Sequence, residues 1–332
     1  MSGTVFVTGG AGYVGSHCCK AFHQAGWNVV TYDNLSRGWR DLVRWGELIE
    51  GDILDEARLA SAMADVKPDA VAHFAAFAYV GESVGDPGLY YRNNTLGSMA
   101  LLDAMKAAGV DKLIFSSTCA TYGIPDRVPM TEDTPQSPIN PYGWSKLFVE
   151  KILDDYGHAH GIRSVKLRYF NAAGADSDGE TGERHEPETH LIPLAIRGMM
   201  QDGFELTIFG DDFDTRDGSC VRDYIHVADL ADAHARALGY LQEGGESNVF
   251  NLGTGTGTTV KEIVDAVERV SGQQVRKSVG PRREGDPPAL VASAEKARDV
   301  LGWTPQNSDI DTIIRTAWNW HRAEADRGYV GS

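Results

Sequence analysis

Tyr142 and Lys146 stand four residues apart where a helical pattern begins, so their side chains share one face of the helix. An ammonium beside a phenol can lower the phenol's pKa, which at about 10 otherwise leaves tyrosine a poor proton acceptor at neutral pH. Alone, such a pair is more often an ordinary surface contact. Ser116, Ser117 and Thr118 change its meaning, because they end an apolar strand over residues 112–116. In open parallel sheets that C-terminal edge is where ligands bind. A hydroxyl from Thr118 placed there can reach the same substrate oxygen that Tyr142 serves.

The element that would hold a reaction partner lies at the start of the chain. Gly9, Gly12 and Gly15 separate an apolar run over residues 5–7 from an amphipathic pattern over 13–24. Glycines there allow a tight turn, close approach of a pyrophosphate and close packing of helix on strand. Free backbone N–H groups and the helix dipole favour the anion. The spacing differs from the commonest dinucleotide fingerprint, and an ordinary strand-to-helix turn would also use glycine. Asp33 adds weight, since it ends the next strand, over 27–32, where a carboxylate accepts hydrogen bonds from an adenosine ribose and repels a 2′-phosphate. NAD is therefore favoured over NADP, although Arg37 nearby could answer a 2′-phosphate. Asp52, in Gly51-Asp52-Ile53 after the third strand, suits an adenine contact or a helix N-cap. A nucleotide turn, a hydroxyl cluster and the Tyr–Lys pair together point to hydride transfer.

Six strand patterns alternate with helical ones as far as residue 169, including one long helical pattern over 87–108 and another over 142–158. This predicts an α/β fold, a doubly wound, Rossmann-like parallel sheet with helices on both faces. Beyond it the chain is more interrupted, with polar loops at 174–188 and 211–219, helical patterns at 191–200, 227–241, 259–270 and 309–320, and short strands at 206–209 and 249–252. A smaller mixed α/β domain is expected there. Residues 1–172 with about 220–253 form the expected NAD-binding domain, and 173–219 with about 254–332 the substrate domain.

Composition narrows the function further. The 332 residues are 42% hydrophobic and 23% charged, as in a globular protein, and the formal net charge of −16 disfavours nucleic acid and anionic membranes as partners. Cys18, Cys19, Cys119 and Cys220 have neither metal-ligand spacing nor a disulfide pattern, so no metal and a reducing cytoplasm are expected. Neither a signal peptide nor a membrane-spanning segment is apparent.

Taken together, TGGAGYVGSH from Thr8, YDNL from Tyr32, GDI from Gly51, SSTCATYG from Ser116, PYGWSK from Pro141, LRYFNAAG from Leu167, VRDYIHVADLADAH from Val221 and PRREGD from Pro281 run through nearly the whole chain. In them the sequence resembles the UDP-glucose 4-epimerase family of extended short-chain dehydrogenase/reductases. The resemblance implies an NAD site lined by Tyr13, Val14, Asp33, Asn34, Leu35, Ser36, Asp52, Ile53, Phe74, Ala75, Ala76, Asn93, Ser116, Ser117, Tyr142, Lys146, Tyr169 and Phe170. It implies a UDP-sugar held by Thr118, Tyr142, Asn171, His190, Leu191, Phe209, Arg222, Tyr224, Arg283, Asp286 and Leu290. Read from residue chemistry alone, Arg222 and Arg283 suit a diphosphate, but Arg222 could equally pair with Asp223 or a neighbour and Arg283 could be solvated. The implied reaction is reversible epimerisation at C4 of UDP-glucose and UDP-galactose through a 4-keto sugar, in a homodimer built through the helical patterns at 87–108 and 142–158.

Rival readings turn on single positions. Related dehydratases carry an acid directly after the threonine, and here Cys119 and Ala120 follow Thr118. Ala78, with AYVGES and INPYG, also resembles UDP-xylose/UDP-arabinose 4-epimerases. Leu290, smaller than the tyrosine of strict glucose/galactose enzymes, would admit UDP-N-acetylhexosamines. A protein that binds NAD as a sensor or scaffold without turnover is the reading from another class, and the complete Thr118, Tyr142, Lys146 set argues against it.

Overall fold

Val5 and Val7 point to one side of the first strand and Phe6 to the other, and all three are fully buried. Such burial requires cover on both faces of the sheet. A computed structural model describes residues 3–201, 203–283 and 285–329, and it supplies that cover. Strands β1 (Thr4–Thr8), β2 (Asn28–Asp33), β3 (Glu47–Glu50), β4 (Ala70–His73), β5 (Lys112–Thr118) and β6 (Arg163–Tyr169) join a seventh, Asn248–Leu252, in one sheet. The order is seventh-β6-β5-β4-β1-β2-β3, and every pairing is parallel.

On one face lie the helices Tyr13–Gln24 and Val227–Gln242, where Cys18, Phe22, Leu230 and Leu238 pack on Val5, Val7 and Val29. On the other, Leu59, Leu101, Met105, Val149 and Leu153 pack on Phe6, Val30, Leu113 and Phe115. The doubly wound expectation holds, with seven strands in place of six. The additional strand was legible within the segment of about 220–253 assigned to the NAD-binding domain, but its pairing with β6 was not predicted.

A separate core lies beyond the sheet. Ile192, Ile196, Ile263, Val267, Ile313 and Trp318 pack together from the helices Leu191–Met200, Val260–Ser271 and Ile310–Asp326, with Leu206 and Ile208 from a strand paired in parallel to Lys277–Gly280.

The long helical pattern at 87–108 is corrected. It divides into Pro87–Tyr90, a π-helical stretch Tyr91–Leu96 and the α-helix Gly97–Ala108. Its dihedrals remain right-handed helical on both sides of the stretch, so side-chain periodicity hides the change of hydrogen bonding. The wider turn buries both Asn93 and Asn94.

Candidate active site

The sheet reverses its winding between β1 and β4, and the glycine turn leaves β1 at that crevice. Gly9 has φ +75°, and a Cβ on it would lie 2.4 Å from the amide nitrogen of Ala75, in the segment Phe74-Ala75-Ala76 that follows β4. A Cβ on Gly15 would meet the Gly9 carbonyl oxygen at 2.1 Å, so this glycine lets the helix close onto the turn. Gly12 is the N-cap of the helix and leaves the first turn without a side-chain cap. The helix terminus therefore faces the crevice with backbone donors available to an anion. Tyr13 and Val14 open this helix, and the Tyr13 hydroxyl donates to the Gly174 carbonyl at 2.6 Å.

Asp33 accepts hydrogen bonds from the amides of Ala11 (3.0 Å) and Leu35 (2.8 Å), and Leu35 takes a left-handed φ of 58°. Two amides leave half of a carboxylate's acceptor sites open to a ribose. Asn34 donates to Asp52 at 2.9 Å and accepts from the Ser36 amide and hydroxyl, joining the ends of β2 and β3 into one rim. The helix Glu56–Val66 is capped by Asp55, which decides between the two readings of Asp52: it is not the N-cap. Ile53 is buried against Gly97. Arg37 is engaged by Glu82 at 2.7 Å and lies over the rings of Phe77 and Tyr79. An arginine so held is poorly placed to receive a 2′-phosphate.

The helix Pro141–His160 starts at the N-cap Asn140, whose side chain accepts from the Gly143 amide at 2.8 Å. That start sets Tyr142 and Lys146 against the end of β5. Thr118 accepts from the Ala120 amide at 3.1 Å, and its hydroxyl lies near enough to Tyr142 to favour the phenolate. Lys146 is buried, and its ammonium donates to the Ser116 carbonyl at 2.9 Å beside the Phe115 ring. Burial pushes its pKa down to about 7. Burial also raises Tyr142 well above its ordinary value, and the nearby Thr118 hydroxyl offsets only part of that. The pairing alone predicted a lowered phenol. In this structure the lysine is turned to the strand carbonyl, and desolvation prevails over its charge.

Behind these groups lies a buried network that sequence reasoning did not find. Glu150 accepts from Ser117 at 2.6 Å and from Arg168, and Arg168 also donates to Tyr122, which donates to Asn251 at 2.6 Å. Burial works against the Glu150 charge, but Arg168 and its other donors hold its pKa below the ordinary carboxylate range. Sequence spacing gave no signal for this pair, which joins a helix to a strand. The Ser116 hydroxyl bonds to Tyr169 at 2.7 Å.

The family model for the NAD dependent epimerase/dehydratase family matches residues 5–253. The chain belongs to that family. It is 57% identical to a UDP-glucose 4-epimerase of Rhizobium meliloti (strain 1021) over 97% of this chain and 98% of that protein. The structure superposes on a UDP-glucose 4-epimerase of Brucella ovis in complex with NAD with a TM-score of 0.92, at 53% identity over 96% of this chain and 98% of that one. It is also similar to a UDP-glucose-4-epimerase of Stenotrophomonas maltophila with bound NAD and formylated UDP-arabinopyranose, with a TM-score of 0.94 and 39% identity over 98% and 99% of the two chains.

The other positions singled out from the sequence lie beyond β6. Asn171 donates to the Asp223 carbonyl at 3.2 Å, beside the buried Tyr224 and after the buried Phe170. Arg222 pairs with Asp286 at 2.6 Å and donates to the Pro287 carbonyl at 2.9 Å. It does not pair with Asp223, whose carboxylate accepts from Thr254, Gly255 and Ala292. Arg283 is exposed and lies over the Phe209 ring at 4.2 Å. Glu284 lies outside the described residues. Leu290 pairs in register with Arg222 and packs on Tyr122, Met130, Phe170 and Ala292, while Ala78 is exposed. Leu191 begins its helix beside His190, whose ring bonds to Glu183.

Proposed function

We propose that this protein interconverts UDP-glucose and UDP-galactose by epimerisation at C4, with NAD retained in its site. The observation that carries this reading is Lys146, buried against the Ser116 carbonyl one helical turn from Tyr142, with Thr118 at the end of the same strand, next to the glycine turn. The activity of the curated relatives at high identity over nearly the whole chain supports it.

Gly9, Gly12, Gly15, Tyr13 and Val14 would hold the pyrophosphate, Asp33 the ribose, Asn34, Leu35, Ser36, Asp52 and Ile53 the adenine side, and Phe74, Ala75, Ala76, Asn93, Ser116, Ser117, Tyr169 and Phe170 the remainder. Bound NAD supplies a hydride acceptor that later becomes the donor, and a positive charge near the phenol. Tyr142 takes the proton of the sugar 4-hydroxyl and returns it at the end of the cycle. Thr118 donates to the oxygen on which charge develops. Lys146, once protonated, favours the phenolate. Arg222, oriented by Asp286, and Arg283, propped on Phe209, would grip the diphosphate, with Asn171, Leu191, Tyr224 and Leu290 walling the nucleotide and sugar. A ligand held at its diphosphate leaves the 4-keto sugar free to turn its other face.

The division into an NAD-binding domain (1–172 with about 220–253) and a substrate domain follows this assignment. A homodimer is supported by exposed Leu96, Met99, Trp144 and Phe148 on two neighbouring helices. No described helix is long and apolar enough to cross a membrane, and all four cysteines are free, which suits a cytoplasmic location.

Purified protein given UDP-galactose and no added NAD should form UDP-glucose, read by separation of the epimers. Tyr142→Phe should retain nucleotide and lose about 10²–10⁴-fold in rate, the contribution typical of a positioned acid–base group. Full activity in that variant would overturn the assignment.

A further inference from the structure

Glu183, His185, Glu188 and His190 lie on the loop leading into the helix Leu191–Met200, and one donor atom from each falls within 4.8 Å of all the others. His185 Nδ1 stands 3.2 Å from a Glu183 oxygen and 3.6 Å from a Glu188 oxygen. His190 Nδ1 bonds to the same Glu183 oxygen and lies 3.6 Å from the other Glu188 oxygen. Donors bound about 2.0–2.1 Å from a tetrahedral ion are about 3.3–3.4 Å from one another. Three of these four separations therefore have the dimensions of a coordination shell. The fourth, Glu183 to His190, is a hydrogen bond that an ion would replace.

Burial gives the arrangement its weight. The Glu183 and Glu188 side chains are only 5% and 8% exposed, and among the described residues neither pairs with a lysine or arginine. Two buried carboxylates sharing a site are costly unless cations neutralise them. His185 Nδ1 is shut off from solvent, points into the cluster and makes no hydrogen bond. Its ring is held edge-on by Tyr13 and Tyr79, at centroid distances of 6.1 and 5.8 Å. The two aromatic rings thus hold His185 with Nδ1 toward both carboxylates. Glu183, His185 and Glu188 have no part in the proposed epimerase chemistry.

We propose that Glu183, His185, Glu188 and His190 bind one divalent transition-metal ion, zinc by preference, which pins this loop against the glycine-turn helix. Two imidazoles and two carboxylates in a four-donor site suit zinc, whereas magnesium and calcium call for more oxygen ligands. The competing arrangement is metal-free. Burial opposes a charged His185 ring, but Glu183 and Glu188 push its pKa up to about 10, and protonated rings would neutralise the acids unaided.

The test uses the full-length, NAD-containing protein, dialysed against a chelator and titrated with Co²⁺ and then Zn²⁺ near neutral pH. One Co²⁺ per chain should give visible d–d bands of four-coordinate intensity, and Zn²⁺ should abolish them. Losing an outer partner of a metal site already costs about 10–100-fold in affinity, so His185→Ala and Glu188→Gln should each weaken binding by at least about 100-fold. Zn²⁺ should raise the Tm of the parent protein and leave both variants unchanged. Retained NAD shows that a variant is folded, and Glu188→Gln, nearly isosteric, carries the test if His185→Ala fails to fold. Absence of a Co²⁺ spectrum in folded parent protein, or binding unweakened in Glu188→Gln, overturns the proposal. Neither outcome depends on epimerase activity.

Discussion

Lys146→Met should stabilise the nucleotide-free protein at neutral and acidic pH, and the gain should disappear in alkali. Lys146 is buried, and burial lowers its pKa from 10.5 to about 7. At about 1.36 kcal/mol for each tenfold change in a proton equilibrium, this is a penalty of about 5 kcal/mol on the folded state. In the unfolded chain the amine keeps its proton to about pH 10.4, and in the folded chain it gives it up near 7. Between those values the unfolded state binds more protons, so stability rises with pH and the full penalty applies below 7. Methionine removes the charge but strips the Ser116 carbonyl of the donor now 2.9 Å away, an offset of about 1–3 kcal/mol. Urea unfolding should therefore show Lys146→Met more stable by about 2–4 kcal/mol near pH 6 and slightly less stable than the parent near pH 10. A difference that stays constant across this range would refute the claim that burial depresses Lys146.

Two further substitutions probe what surrounds the pair. Arg168→Met leaves the Glu150 carboxylate buried beside Ser117 without its cation, and should cost about 3–5 kcal/mol in urea unfolding; a loss below about 1 kcal/mol would show that the network does not carry charge as described. Gly9→Ala sets a Cβ 2.4 Å from the Ala75 amide at a φ of +75°, so the purified variant should contain little NAD, and nucleotide content equal to the parent's would contradict the tight turn.

Much of this arrangement was legible because it rests on local rules. The glycine turn, Asp33 at a strand end and a Tyr–Lys pair one helical turn apart are each set by a few adjacent residues. The strand Asn248–Leu252 was legible in the segment assigned to the NAD-binding domain, but not its pairing with β6, because pairing between distant segments leaves no periodic trace. The π-helical stretch at Tyr91–Leu96 was hidden for a related reason, since it changes hydrogen-bond partners between flanks that are both right-handed helical. Arg222 was legible as a cation but not as Asp286's partner, and Asp223 gave no hint that it would accept from Thr254, Gly255 and Ala292. The direction of the Tyr142 shift was missed because spacing reports proximity, whereas desolvation depends on everything packed around the phenol.

In the proposed reaction one hydride leaves C4 of the sugar and returns to it without passing through solvent. UDP-galactose carrying deuterium at C4, converted by the purified protein in ordinary water, tests this directly. Hydride transfer gives UDP-glucose with the deuterium still at C4. Exchange of the label for solvent hydrogen would contradict it, because removal of that hydrogen as a proton would then be the chemistry of this site.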